Sequence, residues 1–509
     1  MNKKCLRWSC ILLTLFTCNG ITYAQKPNTA DKVSLRRALT LYNKAPKDDP
    51  WKKTPDASSL SWRESYYLQG LVDLYEATGN TRFLKELISR GDQLLSHRDD
   101  RRGVTDGSGK SRPAWSMAMK YVVAEAQLRD AAGNPVIAIR STPSAYNNFT
   151  RVEVMKAEDH SSSHFTLKVT NEHFKRTELF SNLSIDPGDE RYVEKIVNDP
   201  MAPYSTRPGN YTELSNLIRV TTLHNPKTLP ALQSIDLKPI PLAYMGYLGI
   251  IYHPLMRFAE IVKNDPKLDK LAPAADRFIK AAAESYDDAS TRLWRNGPNE
   301  GEGYYLTCEK GESFPADNVG QPFNFLGKHV CVELALYRFT GKKEYLERSQ
   351  QMITLFKNRL VYDRENDLYI WNYWYEPMTT TGWTPEDNLS FNVRYFRAAP
   401  YVEDISHGTL DIAMVMAAYR MGIGFDSVDV ARFSNTLLKN VISPDRRTVR
   451  RTVNGKGEYP AYFPALHRWL ELSEVNEEVY KAVKEIYLKR EEESLGFTAN
   501  LLKWGRRYD

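Results

Sequence analysis

Apolar residues recur at helical spacing in paired runs along most of the chain, and each pair is split by a short polar turn. Residues 74–84 read LYEATGNTRFL and residues 336–346 read LYRFTGKKEYL. Each follows an amphipathic run and leads into another, KELISRGDQLL and ERSQQMITLF. The pattern predicts helix, Thr-Gly turn, helix, with Gly79 and Gly341 at the left-handed position that closes a helix. The same plan recurs at 254–282, 410–437 and 462–488. Repeated hairpins cannot bury their apolar faces alone, so they must stack into a solenoid or a closed ring.

The helical spacing breaks between about 133 and 225. There VIAIR (136–140), RVEVMKA (151–157), HFTLKVTN (164–171) and LIRVTTL (217–223) alternate or are β-branched, as strands should be. The expected organisation is a leader at 1–24, first hairpins at 25–132, an inserted β-rich module at 133–225 and further hairpins at 226–509. Within the module, FSNLSIDPGDERYVEKIVN (180–198) resembles part of the β-rich domain of phage tail-sheath proteins.

Charge and cysteine content change meaning once the leader is set aside. The chain has 69 Lys and Arg against 63 Asp and Glu, and five Cys. Residues 1–24 combine Lys3, Lys4 and Arg7 with an apolar run from Ile11 to Phe16 and a small residue, Ala24, before Gln25. That is the layout of a cleavable secretory signal. Removing it lowers the net charge from +6 to +3 and leaves Cys308 and Cys331 alone. A strongly basic nucleic-acid binder is excluded, and so is a disulfide scaffold. No apolar stretch reaches the length of a membrane span. The expectation is a secreted or periplasmic protein, with lipid attachment at Cys18 as a weaker alternative because Thr17 is a poor residue before a modified cysteine. Cys308 and Cys331 either pair or stay as buried thiols.

Candidate chemistry concentrates in four aromatic loops, at 97–117, 294–330, 369–411 and 446–463. EDISHGTLD (403–411) is the sharpest. Asp404 can cap the following helix, His407 falls in its first turn, and Asp411 lies one turn on along the same face. A carboxylate-held histidine at a helix start can move protons or meet an anion; the alternative is a cap and a packing contact. QPFNFLGKHV offers Gln321 and Asn324, whose amides can bind a carboxylate, and His329; the alternative is a helix cap at Asn324 and a His329 packed among Leu326, Val330 and Leu334, and it weighs more for His329. WNYWYEP and NVRYFRAAPY bring Tyr373, Trp374, Arg394, Tyr395, Arg397 and Tyr401 close together in sequence. Arg pairs bidentately with carboxylates and lowers the pKa of a nearby phenol. Arg98 and Trp115 add a cation and a ring from the first loop. No HExxH, CxxC, calcium loop, phosphate loop, dinucleotide fingerprint or nucleophile elbow occurs, so neither a metal nor a cofactor is expected.

Helical hairpins with Thr-Gly turns, a leader, and loops rich in His, Tyr, Arg and Asn resemble the secreted (α/α)-barrel carbohydrate enzymes. The QPFNFLGKHV helix entry, the NYW motif and EDISHG most resemble (α/α)-toroid polysaccharide lyases acting on uronic-acid polymers, of the alginate and glucuronan lyase type. The resemblance implies a mainly α fold, an (α/α) toroid with an inserted α+β module, and an acidic polysaccharide as substrate. It implies that Asn324 or Gln321, with Arg397 or Arg394, neutralises the substrate carboxylate. His407 or His329 would be the base, and Tyr401, Tyr395 or Tyr373 the base or acid. Gln321, Arg394, Trp374, Tyr373, Trp115, Arg98 and Glu403 would hold substrate. Two other readings remain: a glycoside hydrolase pairing Glu403 or Asp404 with Glu300, Glu302 or Glu376, and a non-catalytic glycan-binding or envelope assembly protein.

Overall fold

Each hairpin turns where the sequence places its glycine. In the computed structural model, which describes residues 32–44, 56–198, 213–223, 228–315 and 317–509, Gly79 and Gly341 close the helices Ser65–Thr78 and Phe323–Thr340. Their φ angles are 71° and 72°, and their N–H groups donate to Tyr75 and Tyr337 carbonyls. A side chain would be strained at either position. The leader at 1–24 lies outside the described residues.

Six helices form an inner set: Ser65–Thr78, Leu248–Asn264, Phe323–Thr340, Gly408–Arg420, the 3-10 helix Pro460–Glu474, and Leu495–Tyr508. Each packs against the next, and the last packs against the first. Each also carries an outer partner: Arg82–Ser96, Ala272–Leu293, Lys343–Lys357, Ser427–Asn435, Glu477–Lys489 and Leu35–Lys44, in the same order. One apolar core joins them, with Trp371, Trp469, Tyr286 and Tyr305 among its largest buried rings. The sixth pair joins the two ends of the chain. Lys32 donates to the Tyr487 and Arg490 carbonyls at 2.7 and 2.6 Å, and Arg37 donates to Glu493 at 2.7 Å.

The protein is therefore helix-rich with an inserted β module, and the module is larger than 133–225. It holds β1 (Ala124–Arg129), β2 (Pro135–Ser141), β3 (Thr150–Lys156), β4 (Phe165–Asn171), β5 (Arg176–Leu183), β6 (Ile218–Thr222), β7 (Gln233–Asp236) and β8 (Lys238–Pro239). These make two antiparallel sheets, ordered β6-β2-β1-β8 and β5-β4-β3-β7. Alternate side chains from both, including Leu128, Ile137, Val152, Leu167 and Val220, share a separate core. The chain leaves and returns at one point, where Ser116 bridges Ala243 and Met117 donates to the Leu242 carbonyl at 2.9 Å. β1, β7 and β8 fall outside the expected range because AEAQLR and QSID carry little apolar alternation.

Cys308 and Cys331 are both buried and free, so the thiol alternative holds rather than the disulfide. Among the described residues no helix is long and apolar enough to cross a membrane.

Candidate active site

The loops that enter the inner helices converge at one end of the ring. Residues 371–373 and 401–403 run side by side there: Tyr373 donates its N–H to the Tyr401 carbonyl at 2.7 Å, and Glu403 donates to the Trp371 carbonyl at 3.0 Å. This pairing sets EDISHG against the NYW segment. The helix then starts at Gly408.

Asp404 organises the turn. Its Oδ1 accepts the N–H groups of Ser406 and His407 at 2.8 and 2.9 Å, and its Oδ2 lies 2.7 Å from His407 Nδ1. Asp404 is fully buried, whereas the His407 side chain keeps 17% of its surface. Burial alone would raise the Asp404 carboxyl, but the His407 charge and hydrogen bonds hold it below the carboxylate range. Burial alone would lower His407, but Asp404 outweighs it and holds the imidazole above its ordinary value.

Two rings bracket His407 edge to face: Trp62 at 5.9 Å and Tyr373 at 5.3 Å between centroids. Tyr373 also touches Trp374 at 5.3 Å and Tyr401 at 6.0 Å. The Tyr401 hydroxyl accepts from Arg451 Nη2 at 2.9 Å. Behind Trp62 stands Tyr66, at 6.0 Å, and the Arg468 guanidinium lies 3.8 Å over the Tyr66 ring. Burial, then the Glu403 carboxyl, pushes the Tyr373 phenol well above its usual range, so this ring stays protonated.

A second layer lies beneath. Glu403 and Asp411 are both fully buried and adjacent. Glu403 Oε1 accepts the Asp404 N–H at 2.8 Å, and Asp411 Oδ2 accepts from Trp371 Nε1 at 2.8 Å. Apart from each other, their remaining oxygens have no partner. Two buried carboxyls side by side cannot both ionise. Burial, then repulsion from Asp411, pushes Glu403 well up, and burial pushes Asp411 up as well. The pair therefore retains a proton.

The ligand atoms of Glu403, Asp404 and His407 lie within 4.8 Å of one another, close enough for a shared cation. Asp404 Oδ2 is already committed to the His407 ring and Glu403 Oε1 to a backbone N–H. This arrangement suits proton transfer better than coordination.

The other sequence candidates divide. Glu403, Tyr373, Tyr401 and Trp374 gather around His407. Asn324 is buried in the first turn of its helix, and neither amide atom has a partner. Gln321 and His329 belong to the core. Gln321 Nε2 donates to the Leu306 carbonyl at 3.0 Å, so its Oε1 accepts from His329 Nε2 at 2.9 Å. His329 Nδ1 then accepts from the Tyr286 hydroxyl at 2.8 Å, and burial lowers the ring to about 3. A neutral, fully bonded imidazole cannot serve as the base. Trp115 donates to the Leu94 carbonyl at 3.1 Å and packs 5.3 Å from Tyr252. Arg98 is buried against Asp100 and Glu284. Both are structural rather than substrate contacts.

Tyr395 and Arg397 ride on a loop pinned by Asp317, which accepts from Gly311, Phe391 and Asn392 N–H groups and from Ser390. Arg397 is exposed, and Arg394 faces the β module across a separate groove. Nothing places either beside His407. The arginines near it are Arg451 and Arg468. Arg451 lies in the loop at 446–463, the fourth of the aromatic loops. Arg468 carried no signal, since HRWL reads as ordinary amphipathic helix. Trp62 was missed for the same reason.

Neither a family model nor a curated protein sequence matches the chain, so the tail-sheath likeness of 180–198 gains no support. Among solved structures, the chain is similar to the GH76 α-mannanase of Bacteroides thetaiotaomicron, at 11% identity, TM-score 0.31, and 48% and 59% coverage of the two chains. It is similar to the cellobiose 2-epimerase of Bacillus thermoamylovorans, at 12% identity, TM-score 0.32, and 48% and 59% coverage. It is similar to a D-mannose isomerase, at 13% identity, TM-score 0.29, and 49% and 61% coverage. The chain thus spans about three fifths of these proteins. At TM-scores near 0.3 such matches carry no functional inference.

Proposed function

We propose that this chain is a carbohydrate enzyme that cleaves an acidic polysaccharide by β-elimination, built on an (α/α) toroid and acting outside the cytoplasm. The cyclic packing of six helix pairs supports the toroid reading. The observation that carries the activity is the Asp404–His407 pair, whose free Nε2 is bracketed by Trp62 and Tyr373.

The chemistry needs three groups. Asn324, Arg451 and Arg468 are the neutral and cationic groups that can draw charge from a uronate carboxylate and acidify its C5 proton. His407 Nε2 takes that proton. The electron pair moves into a C4–C5 double bond, the C4–O4 bond breaks, and the Tyr373 hydroxyl gives its proton to O4. Solvent then returns a proton to Tyr373 and removes one from His407. The hydrolase alternative draws less support, because the partners it would pair with Glu403 or Asp404 are engaged by other side chains or exposed. Arg359, Asn358 and Asn299 hold Glu302 down at about 2 despite its burial, Glu376 shares the same Arg359, and Glu300 is exposed.

The test is His407→Ala on a panel of alginate, glucuronan, glycosaminoglycan and pectin. Turnover of the cleaved polymer should fall by about 10²–10⁴ with the melting temperature retained. An unchanged rate removes His407 from the mechanism.

A further inference from the structure

A cavity of about 530 Å³ runs among the six inner helices, and its walls are charged. Most of that charge is neutralised in place. Arg257 pairs with Asp73 and Glu76, Arg420 with Glu471 and Glu474, Lys503 with Glu76 and Glu471, and Arg338 with Glu260. These pairs draw on the carboxylates of the wall and leave two cations aside.

Arg468 and Lys328 are those two. Among the described residues neither forms an ion pair with a carboxylate. Arg468 stacks on Tyr66 and reaches Thr409 Oγ1 only at 3.5 Å. Lys328 is 5% exposed, and its Nζ donates to His253 Nδ1 at 3.0 Å. Burial holds His253 well below its ordinary value, so it is a neutral acceptor and supplies no counter-charge of its own. Burial also pulls Lys328 down to about 8, and the Arg468 charge adds to that pull, which places the two cations in one field. Burying charge without a counter-charge is costly. Both side chains line the cavity, and Arg468 is joined to His407 through Tyr66 and Trp62.

We infer that the interior of the ring holds a carboxylate-binding subsite, formed by Lys328 and Arg468, that takes one acidic sugar residue. The cavity is large enough for a single pyranose ring, and the paired Arg and Glu side chains around it offer donors and acceptors to hydroxyls. The choice of a sugar acid rests on the proposed function; the need for an anion does not.

Calorimetric titration of the full chain with sodium glucuronate, glucose and inorganic phosphate tests this. Glucuronate should bind, glucose should not, and phosphate should bind more weakly than glucuronate. Lys328→Met and Arg468→Gln should each weaken glucuronate by roughly tenfold or more. Lys328→Arg and Arg468→Lys, which keep the charge, should bind within a few-fold of wild type and guard against a fold defect. Glucuronate affinity unchanged in both charge-removing variants overturns the inference, as does binding of phosphate without glucuronate. Protein that binds glucuronate at this site yet cleaves no uronate polymer overturns the proposed function and leaves the subsite standing.

Discussion

His407 Nδ1 lies 2.7 Å from Asp404 Oδ2, and that contact fixes which ring nitrogen remains for substrate. It also sets a pH dependence. A base must be neutral, and Asp404 holds the imidazole protonated above its ordinary pKa of about 6.5. The rate constant kcat/KM should therefore rise with pH through an inflection above that value. Asp404→Asn should move the inflection down by about 1–3 pH units and lower the plateau rate. A profile whose rising limb does not move excludes the pair from the chemistry.

Tyr373 should act as the acid. Burial and the Glu403 carboxyl keep its phenol protonated well above the usual range. Tyr373→Phe should retain the packing against His407 while kcat falls by about 10²–10⁴ and KM changes little. Poor leaving groups should suffer more than good ones. Equal losses for both would assign Tyr373 to packing alone.

The buried Glu403–Asp411 pair predicts how stability follows pH. Both carboxyls have folded-state values raised above their unfolded ones. Between the unfolded value, about 4, and the raised folded values, the folded state holds protons that the unfolded chain has released. Stability from this pair is thus greatest in acid and is lost as pH rises through that window. Glu403→Gln keeps an acceptor for the Asp404 N–H and adds a permanent donor for Asp411. Its melting temperature should exceed that of wild type by an amount that grows from pH 5 to pH 8. A gap that stays constant with pH would mean that the pair is not proton-linked.

Asn324 should show a trade of stability for function. Both amide atoms are buried without partners, a state that costs about 1–3 kcal/mol. Asn324→Leu, close in shape, should melt at or above the wild-type temperature while activity on a uronate polymer falls about tenfold or more. Lost stability with retained activity would make Asn324 structural.

Local signals carried the sequence reading, and distant ones limited it. The Thr-Gly turns disclosed short links between helices, residues 79–81 and 341–342, since Gly79 and Gly341 sit at left-handed positions that strain any side chain. The sixth pair stayed hidden because Leu35–Lys44 and Leu495–Tyr508 belong to opposite ends of the chain. EDISHG was legible because Asp404 and His407 meet within one turn. Trp62 and Arg468 reach the same place from other helices, and no local spacing records that. His329 misled because the Phe323–Thr340 helix is buried on nearly every side, and Gln321, just before that helix, is buried with it. An apolar stripe cannot tell the ring-facing side of such a helix from the side that packs outward.

The most direct measurement is the product itself. Wild-type protein incubated with the uronate polymer it cleaves should raise ultraviolet absorbance from a C4–C5 unsaturated uronide, in step with new reducing ends, and His407→Ala should slow both by about 10²–10⁴. New reducing ends with no such absorbance would contradict the account, because bond cleavage would then proceed by hydrolysis rather than elimination.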